Sequence, residues 1–165
     1  MIKLTGIEKM SASQRLSYAK LLLKGQGETE THPRAIEANA SAILMAVLEG
    51  LNWAGFYWVE GEELILGSFQ GLPACTRIDY GKGVCGTAWK ENQNQRVDNV
   101  EEFPGHIACD SASRSELVIP IRKGEEVTGV LDLDSPYLGR FSEEDEKELS
   151  EFVRILENLL YDRNQ

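Results

Sequence analysis

Trp53-Ala54-Gly55-Phe56-Tyr57-Trp58-Val59, then Glu60-Gly61-Glu62-Glu63, then Leu64-Ile65-Leu66-Gly67-Ser68-Phe69 is the stretch that decides the fold. Two runs rich in aromatic and branched aliphatic side chains flank a short polar segment with one glycine, which predicts a β-hairpin. A second pair of runs, residues 117–121 and 127–133, flanks Lys123-Gly124 and predicts another. Hairpins pair antiparallel, so the sheet is expected to be antiparallel.

Helical patterns lie on both sides of these strands. Residues 11–23 place Leu16, Ala19 and Leu23 on one face, with Gly25 as a stop. Residues 25–33 form a polar connector. Residues 33–49 carry Ile36, Ala40, Ile43, Leu44 and Val47 at helical spacing. At the other end, Ser142 followed by Glu143, Glu144 and Asp145 is an N-cap with acids in the first turn. The helix it opens bears Leu149, Phe152, Val153, Leu156 and Leu160 on one stripe. This order predicts an α+β class, with flanking helices covering one face of a central antiparallel sheet. The chain, residues 1–165, is expected to be one domain, with a helical extension over about residues 1–30.

Two long loops interrupt the sheet. Residues 70–83 hold Cys75, and residues 99–114 hold Pro104, Gly105 and Cys109. Between them, residues 84–92 suit a short helix and residues 96–98 a short strand. An irregular segment of about 16 residues in a compact domain is usually functional.

The composition narrows the function. With 27 acidic against 17 basic residues, the formal net charge is −10. Basic residues are scattered singly, so nucleic acid is excluded as an expected partner. No run approaches the apolar length needed to span a bilayer, and Met1-Ile2-Lys3-Leu4-Thr5 leads into no apolar segment, so neither a membrane anchor nor a signal peptide is expected. Three cysteines, an odd number, fit a reducing compartment and predict a cytoplasmic protein.

Cys75, Cys85 and Cys109 all fall in or beside the long loops rather than in apolar stripes, so reactive thiols compete with inert small side chains as readings. Their spacing matches no zinc knuckle, and no metal site is expected, a Cys₃His set with His106 included. His106 is either an assistant to Cys109 or a hydrogen-bonded loop histidine. Residues two apart on a strand share a face, so Leu131 and Leu133 should point into the core and Asp132 and Asp134 away from it. With Glu116 these acids are either a solvated face or a crowded group that raises one carboxyl pKa and can hold a ligand ammonium. Trp53 and Tyr57 share one strand face and Phe56 and Trp58 the other. One side is core, and the other is core or a pocket wall. Gly81-Lys82-Gly83-Val84-Cys85-Gly86 has the spacing of a dinucleotide turn, but no apolar strand precedes it, and its glycines fit tight turns at a helix start.

Five blocks occur in order: Asn52-Trp53-Ala54-Gly55-Phe56-Tyr57; Leu66-Gly67 with Phe69-Gln70-Gly71; Gly83-Val84-Cys85-Gly86-Thr87-Ala88; Gly105-His106-Ile107-Ala108-Cys109-Asp110; and Gly129-Val130-Leu131-Asp132-Leu133-Asp134-Ser135. Together they resemble the free methionine-(R)-sulfoxide reductases, which are single-domain GAF proteins. The likeness covers roughly residues 39–160. Trp58, Leu72-Pro73 and Asp79 look like departures from it. The resemblance implies a GAF fold with the terminal helices on one face of the sheet and a ligand pocket under loops on the other. It implies that Cys109 attacks the sulfoxide sulfur, with Cys75 as its disulfide partner and Cys85 as a second candidate. It implies that Trp53 and Tyr57 line the pocket and that Glu116, Asp132 and Asp134 bind polar ends of the substrate. It implies free methionine sulfoxide as substrate, thioredoxin as reductant and no cofactor, with a homodimer as a candidate assembly. The rival class is a GAF-type module that binds a small molecule or senses redox state without turnover. The acids, Asp110 included, oppose ionisation of Cys109, and a helix N-terminus, a base such as Arg114 or the substrate ammonium is expected to offset them.

Overall fold

The computed structural model describes residues 3–109 and 111–162. Six strands form one sheet in the order β3-β2-β1-β6-β5-β4. They are β1 (Trp53–Glu60), β2 (Glu63–Gln70), β3 (Arg77–Asp79), β4 (Gln95–Val97), β5 (Ser115–Lys123) and β6 (Glu126–Ser135). Every neighbouring pair is antiparallel. Both expected hairpins are present. β3 is an edge strand inside the stretch read as loop. Its three residues are too few for a periodic pattern to register, and it pairs with β2 through Ile65↔Arg77 and Leu64↔Ile78.

Helices α1 (Ala12–Thr29), α2 (Pro33–Val47) and α4 (Glu143–Glu157) cover one face. Leu16, Leu23, Ile36, Leu44, Phe152 and Leu156 pack there against Phe56, Leu117, Ile119, Leu131 and Leu133. α1 begins at a capping box: Gln14 N–H donates to Ser11 Oγ, and the Gln14 side chain accepts from Ser11 N–H. It does not stop at Gly25. Gln26 and Gly27 are buried, and Gln26 Nε2 donates to the Ala35 carbonyl of α2, so tertiary contact carries the helix past the glycine. Pro33 sits in the first turn of α2, where its missing N–H costs nothing. α4 opens at Ser142 with the expected cap, its Oγ accepting from Asp145 N–H.

α3 (Gly83–Glu91) lies on the opposite face. Here Trp53, Tyr57, Leu64, Ile78, Val84, Cys85, Ala88, Val118 and Val130 form a second, smaller apolar cluster. Cys85 is 3% exposed within it, which corrects its reading as a loop residue outside the apolar clusters. The Gly81–Gly86 run shapes the start of α3. Gly83 has φ 59°, and a Cβ on Gly86 would lie 2.6 Å from the Asp79 carbonyl oxygen. Gly86 thus lets α3 press against the end of β3 and bring its first turn over the sheet.

Gly86→Ala is expected to push α3 off this seat at a cost of roughly 1–3 kcal/mol, the range for overpacking a tight contact. A lowered urea midpoint with an unchanged slope checks it.

Candidate active site

Between α3, the two cysteine loops and the sheet lies a small cavity of about 30 Å³. Trp53 and Tyr57 come from β1, Glu116 from β5, Asp132 and Asp134 from β6, Cys85 from α3 and Cys109 from the β4–β5 loop. The register explains the meeting of the acids. Glu116 lies directly opposite Asp134, and Asp132 pairs with Val118 on one side and Gly55 on the other. All three carboxylates therefore share the face that Leu131 and Leu133 leave.

They are not a solvated strand face. Glu116, Asp132 and Asp134 are 6%, 6% and 9% exposed, because α3 and the loops roof them. Burial pushes the Glu116 carboxyl well above its ordinary 4.5, and the charges of Asp132 and Asp134 push it further. Burial likewise raises Asp132, to about 6, against hydrogen bonds from Glu116 and Cys85 that favour its ionised form. Of the two, Glu116 is the one that burial and both neighbouring acids hold toward its protonated form. Cys85 Sγ lies 3.9 Å from Glu116 Oε1, and burial beside the three acids drives its thiol well above the usual range. That makes Cys85 a poor nucleophile in this setting.

The aromatic residues are pocket wall and loop anchor at once. Trp53 and Tyr57 stack at 5.9 Å between ring centroids. Tyr57 Oη donates to the Cys75 carbonyl at 2.9 Å, and Trp53 Nε1 donates to the Leu72 carbonyl at 3.1 Å. Both fix the loop that carries Cys75. Cys75 and Cys109, each half-buried, are joined by a disulfide, and Cys85 is the free thiol. His106 Nε2 approaches Glu116 Oε2 at 3.9 Å, the range of an ion pair. Burial lowers the His106 pKa, so the ring is neutral at pH 7 and the pair carries little charge attraction. His106 lines the cavity but is bonded neither to Cys75 nor to Cys109.

Lys82 and Gly83 at the α3 N-terminus, Ile107 and Ser113 also line the cavity. In the Gly81–Gly86 run Lys82 and Gly83 read as turn residues and not as a wall, Ile107 appears only inside a resemblance block, and Ser113 carries no signal beyond its place in a long loop. Arg114 is exposed and is not a lining residue. Asp110, the other charge weighed against Cys109, lies outside the described residues. Trp58, an apparent departure, is on the helix side and donates from Nε1 to Glu37.

A model of the GAF domain matches residues 34–160, and the chain belongs to the GAF family. Its relatives narrow that class. The chain is 52% identical over 131 residues to the free methionine-R-sulfoxide reductase of Escherichia coli, covering 79% of each chain. It is 51% identical over 158 residues to protein YtsP of Bacillus subtilis, covering 93% of this chain and 97% of that one. The fold superposes on the reduced form of fRMsr from Staphylococcus aureus with TM-score 0.85 and 48% identity, over 88% and 94% of the two chains. Within the GAF family the chain thus belongs with the free methionine-R-sulfoxide reductases, which are oxidoreductases. No helix among the described residues is long and apolar enough to cross a membrane.

The raised Asp132 pKa makes the site costly to fold. A carboxyl raised in the folded state favours folding below the unfolded pKa, and that advantage is lost as pH rises through the folded pKa. Between pH 3.8 and about 6 the native state therefore loses stability through Asp132. Asp132→Asn should raise stability at pH 7 by on the order of 1–3 kcal/mol, with the gain vanishing below the ordinary carboxylate pKa. Urea midpoints measured across pH for both proteins check the sign.

Proposed function

We propose that this protein reduces free methionine (R)-sulfoxide to methionine, with Cys109 as nucleophile, Cys75 as resolving thiol and a thioredoxin-type dithiol as reductant. The carrying observation is the Cys75–Cys109 disulfide at a cavity walled by three buried carboxylates, one of which burial holds toward its protonated form. In this reading the whole chain is one catalytic unit.

The reduced Cys109 thiolate attacks the sulfoxide sulfur. A sulfur–sulfur bond forms as Glu116 delivers its proton to the sulfoxide oxygen. The hydroxyl then passes from the substrate sulfur to the Cys109 sulfur, the sulfur–oxygen and sulfur–sulfur bonds to the substrate break, and methionine leaves Cys109 as a sulfenic acid. The Cys75 thiol then attacks that sulfur, water departs, and the disulfide forms. An external dithiol reduces it by exchange and is itself oxidised to a disulfide. Lys82 and the first turn of α3 line the same cavity and supply positive potential that favours the Cys109 thiolate against its acidic neighbours. Trp53 and Tyr57 give an apolar wall for the substrate's methylthio end. Asp132 binds the substrate ammonium in this reading, and Asp134 supports Glu116 across the strand pair.

In this reading the disulfide form is the stage after turnover and before reset. The bond straps the Cys75 and Cys109 loops to each other beside the cavity, and its reduction frees them.

Incubation with free methionine sulfoxide and dithiothreitol should yield methionine, whereas a sensing module gives no turnover. Cys109→Ser should abolish methionine formation with any reductant. Cys75→Ser should lose thioredoxin-dependent turnover yet keep a burst of about one methionine per chain. Wild-type rates in Cys109→Ser would move the chemistry to another thiol.

Recognition of the ammonium predicts substrate scope. N-acetylmethionine sulfoxide leaves a buried carboxylate unpaired and should react ~100-fold or more slowly than the free amino acid. Relative kcat/KM for the two compounds measures it, and equal rates would remove Asp132 from ammonium binding.

A further inference from the structure

Cys85 takes no part in the catalytic cycle proposed above, although it lines the same cavity. Its Sγ and one carboxylate oxygen each from Glu116 and Asp132 all lie within 4.8 Å of one another, and all three residues are buried. Asp132 Oδ1 is enclosed and accepts no hydrogen bond, although Asp132 is 94% buried on the cavity wall. Such an atom wants a donor or a cation. From these observations we propose that Cys85, Glu116 and Asp132 form a binding site for one borderline-soft divalent cation of the zinc type.

The ligand set selects the class of ion. One sulfur with two carboxylates suits Zn²⁺ or Co²⁺, whereas Mg²⁺ and Ca²⁺ take oxygen ligands alone. The spacing suits it as well. Cys85 Sγ and Glu116 Oε1 stand 3.9 Å apart. Around tetrahedral zinc, with bonds of about 2.3 Å to sulfur and about 2.0 Å to oxygen, they would stand at about 3.5 Å, a small closure. Three protein ligands leave a fourth position facing the cavity. The cavity volume, about 30 Å³, is ample for an ion with one water. Binding displaces the Cys85 proton and the proton of the carboxyl pair to solvent, and the thiolate with the two carboxylates then outweighs the ion's charge by one negative unit. A bound cation ties up both Glu116 and Asp132. It therefore competes with substrate, and the disulfide form is the state in which the ion meets no rival for the space.

The disulfide form also gives a clean measurement. The chain has three cysteines, and with Cys75 and Cys109 bonded, Cys85 is the remaining thiol. Oxidised full-length protein titrated with Co²⁺ should develop a near-ultraviolet thiolate-to-cobalt band that saturates at one ion per chain. Zn²⁺ should abolish the band, and excess Mg²⁺ should leave it. Asp132→Asn should weaken cobalt binding roughly 10-fold or more, since even residues that only support metal ligands change affinity by that much. Cys85→Ser should lower zinc affinity measured against a chromophoric chelator. Absence of the band in the oxidised wild type overturns the proposal, as does unchanged cobalt affinity in Asp132→Asn, which is nearly isosteric and reports even if Cys85→Ser fails to fold. None of these readouts needs turnover, so their failure leaves the reductase reading standing, and a failure of that reading leaves the metal site testable.

Discussion

Leu131 and Leu133 are wholly buried against the helices, and the rest of the site depends on that burial. A strand alternates its side chains strictly. Once these two leucines are locked into the larger core, Asp132 and Asp134 must face the other way. The same lock on β5, through Leu117 and Ile119, turns Glu116 to that face too. Slippage by one residue would bury carboxylates under α1, α2 and α4 and expose leucines, which the apolar energy of the helix face forbids. The larger core thereby holds three mutually repelling acids together without itself containing any of them.

Their proximity works against folding and for chemistry. Glu116 directly opposite Asp134 is an unfavourable cross-strand pair, and burial raises the carboxyl pKa values further. Burial and the neighbouring charges hold Glu116 toward its protonated form, which is the form that the proposed proton donation to a poor leaving oxygen requires. Stability given up at a reactive site is offset by apolar packing elsewhere, here by the helix layer.

The other half of the site rests on loops, and the sheet reaches out to hold them. Tyr57 and Trp53 stand on the rigid β1 but spend their polar atoms on the Leu72 and Cys75 carbonyls. That places one end of the disulfide at a fixed point. Cys109, 34 residues later in the chain, sits on a longer loop whose strongest tie among the described residues is the disulfide itself. Rigid wall on one side and releasable loop on the other suit the proposed cycle, in which the pocket admits a substrate and then closes over an oxidised pair.

Much of this was legible in local sequence. The two hairpins, the Ser142 cap, the inward leucines and the split of Trp53 and Tyr57 from Phe56 and Trp58 follow from period and capping chemistry, which act between near neighbours. The resemblance supplied the site residues, yet the residues alone favoured a wet strand face for the acids. Helix α1 outran Gly25 because Gln26 found a partner on α2, and three-residue β3 emerged only because β2 offered it an edge. Which residue lies opposite Glu116, how deeply α3 presses over the acids through Gly86, and that Cys85 is drawn into their company are matters of register and roofing. Those are settled between segments far apart in the chain. Sequence by itself determined which faces of the strands are apolar; only the tertiary structure decided that the polar face is dry, because dryness comes from what packs over a residue and not from its neighbours in the chain.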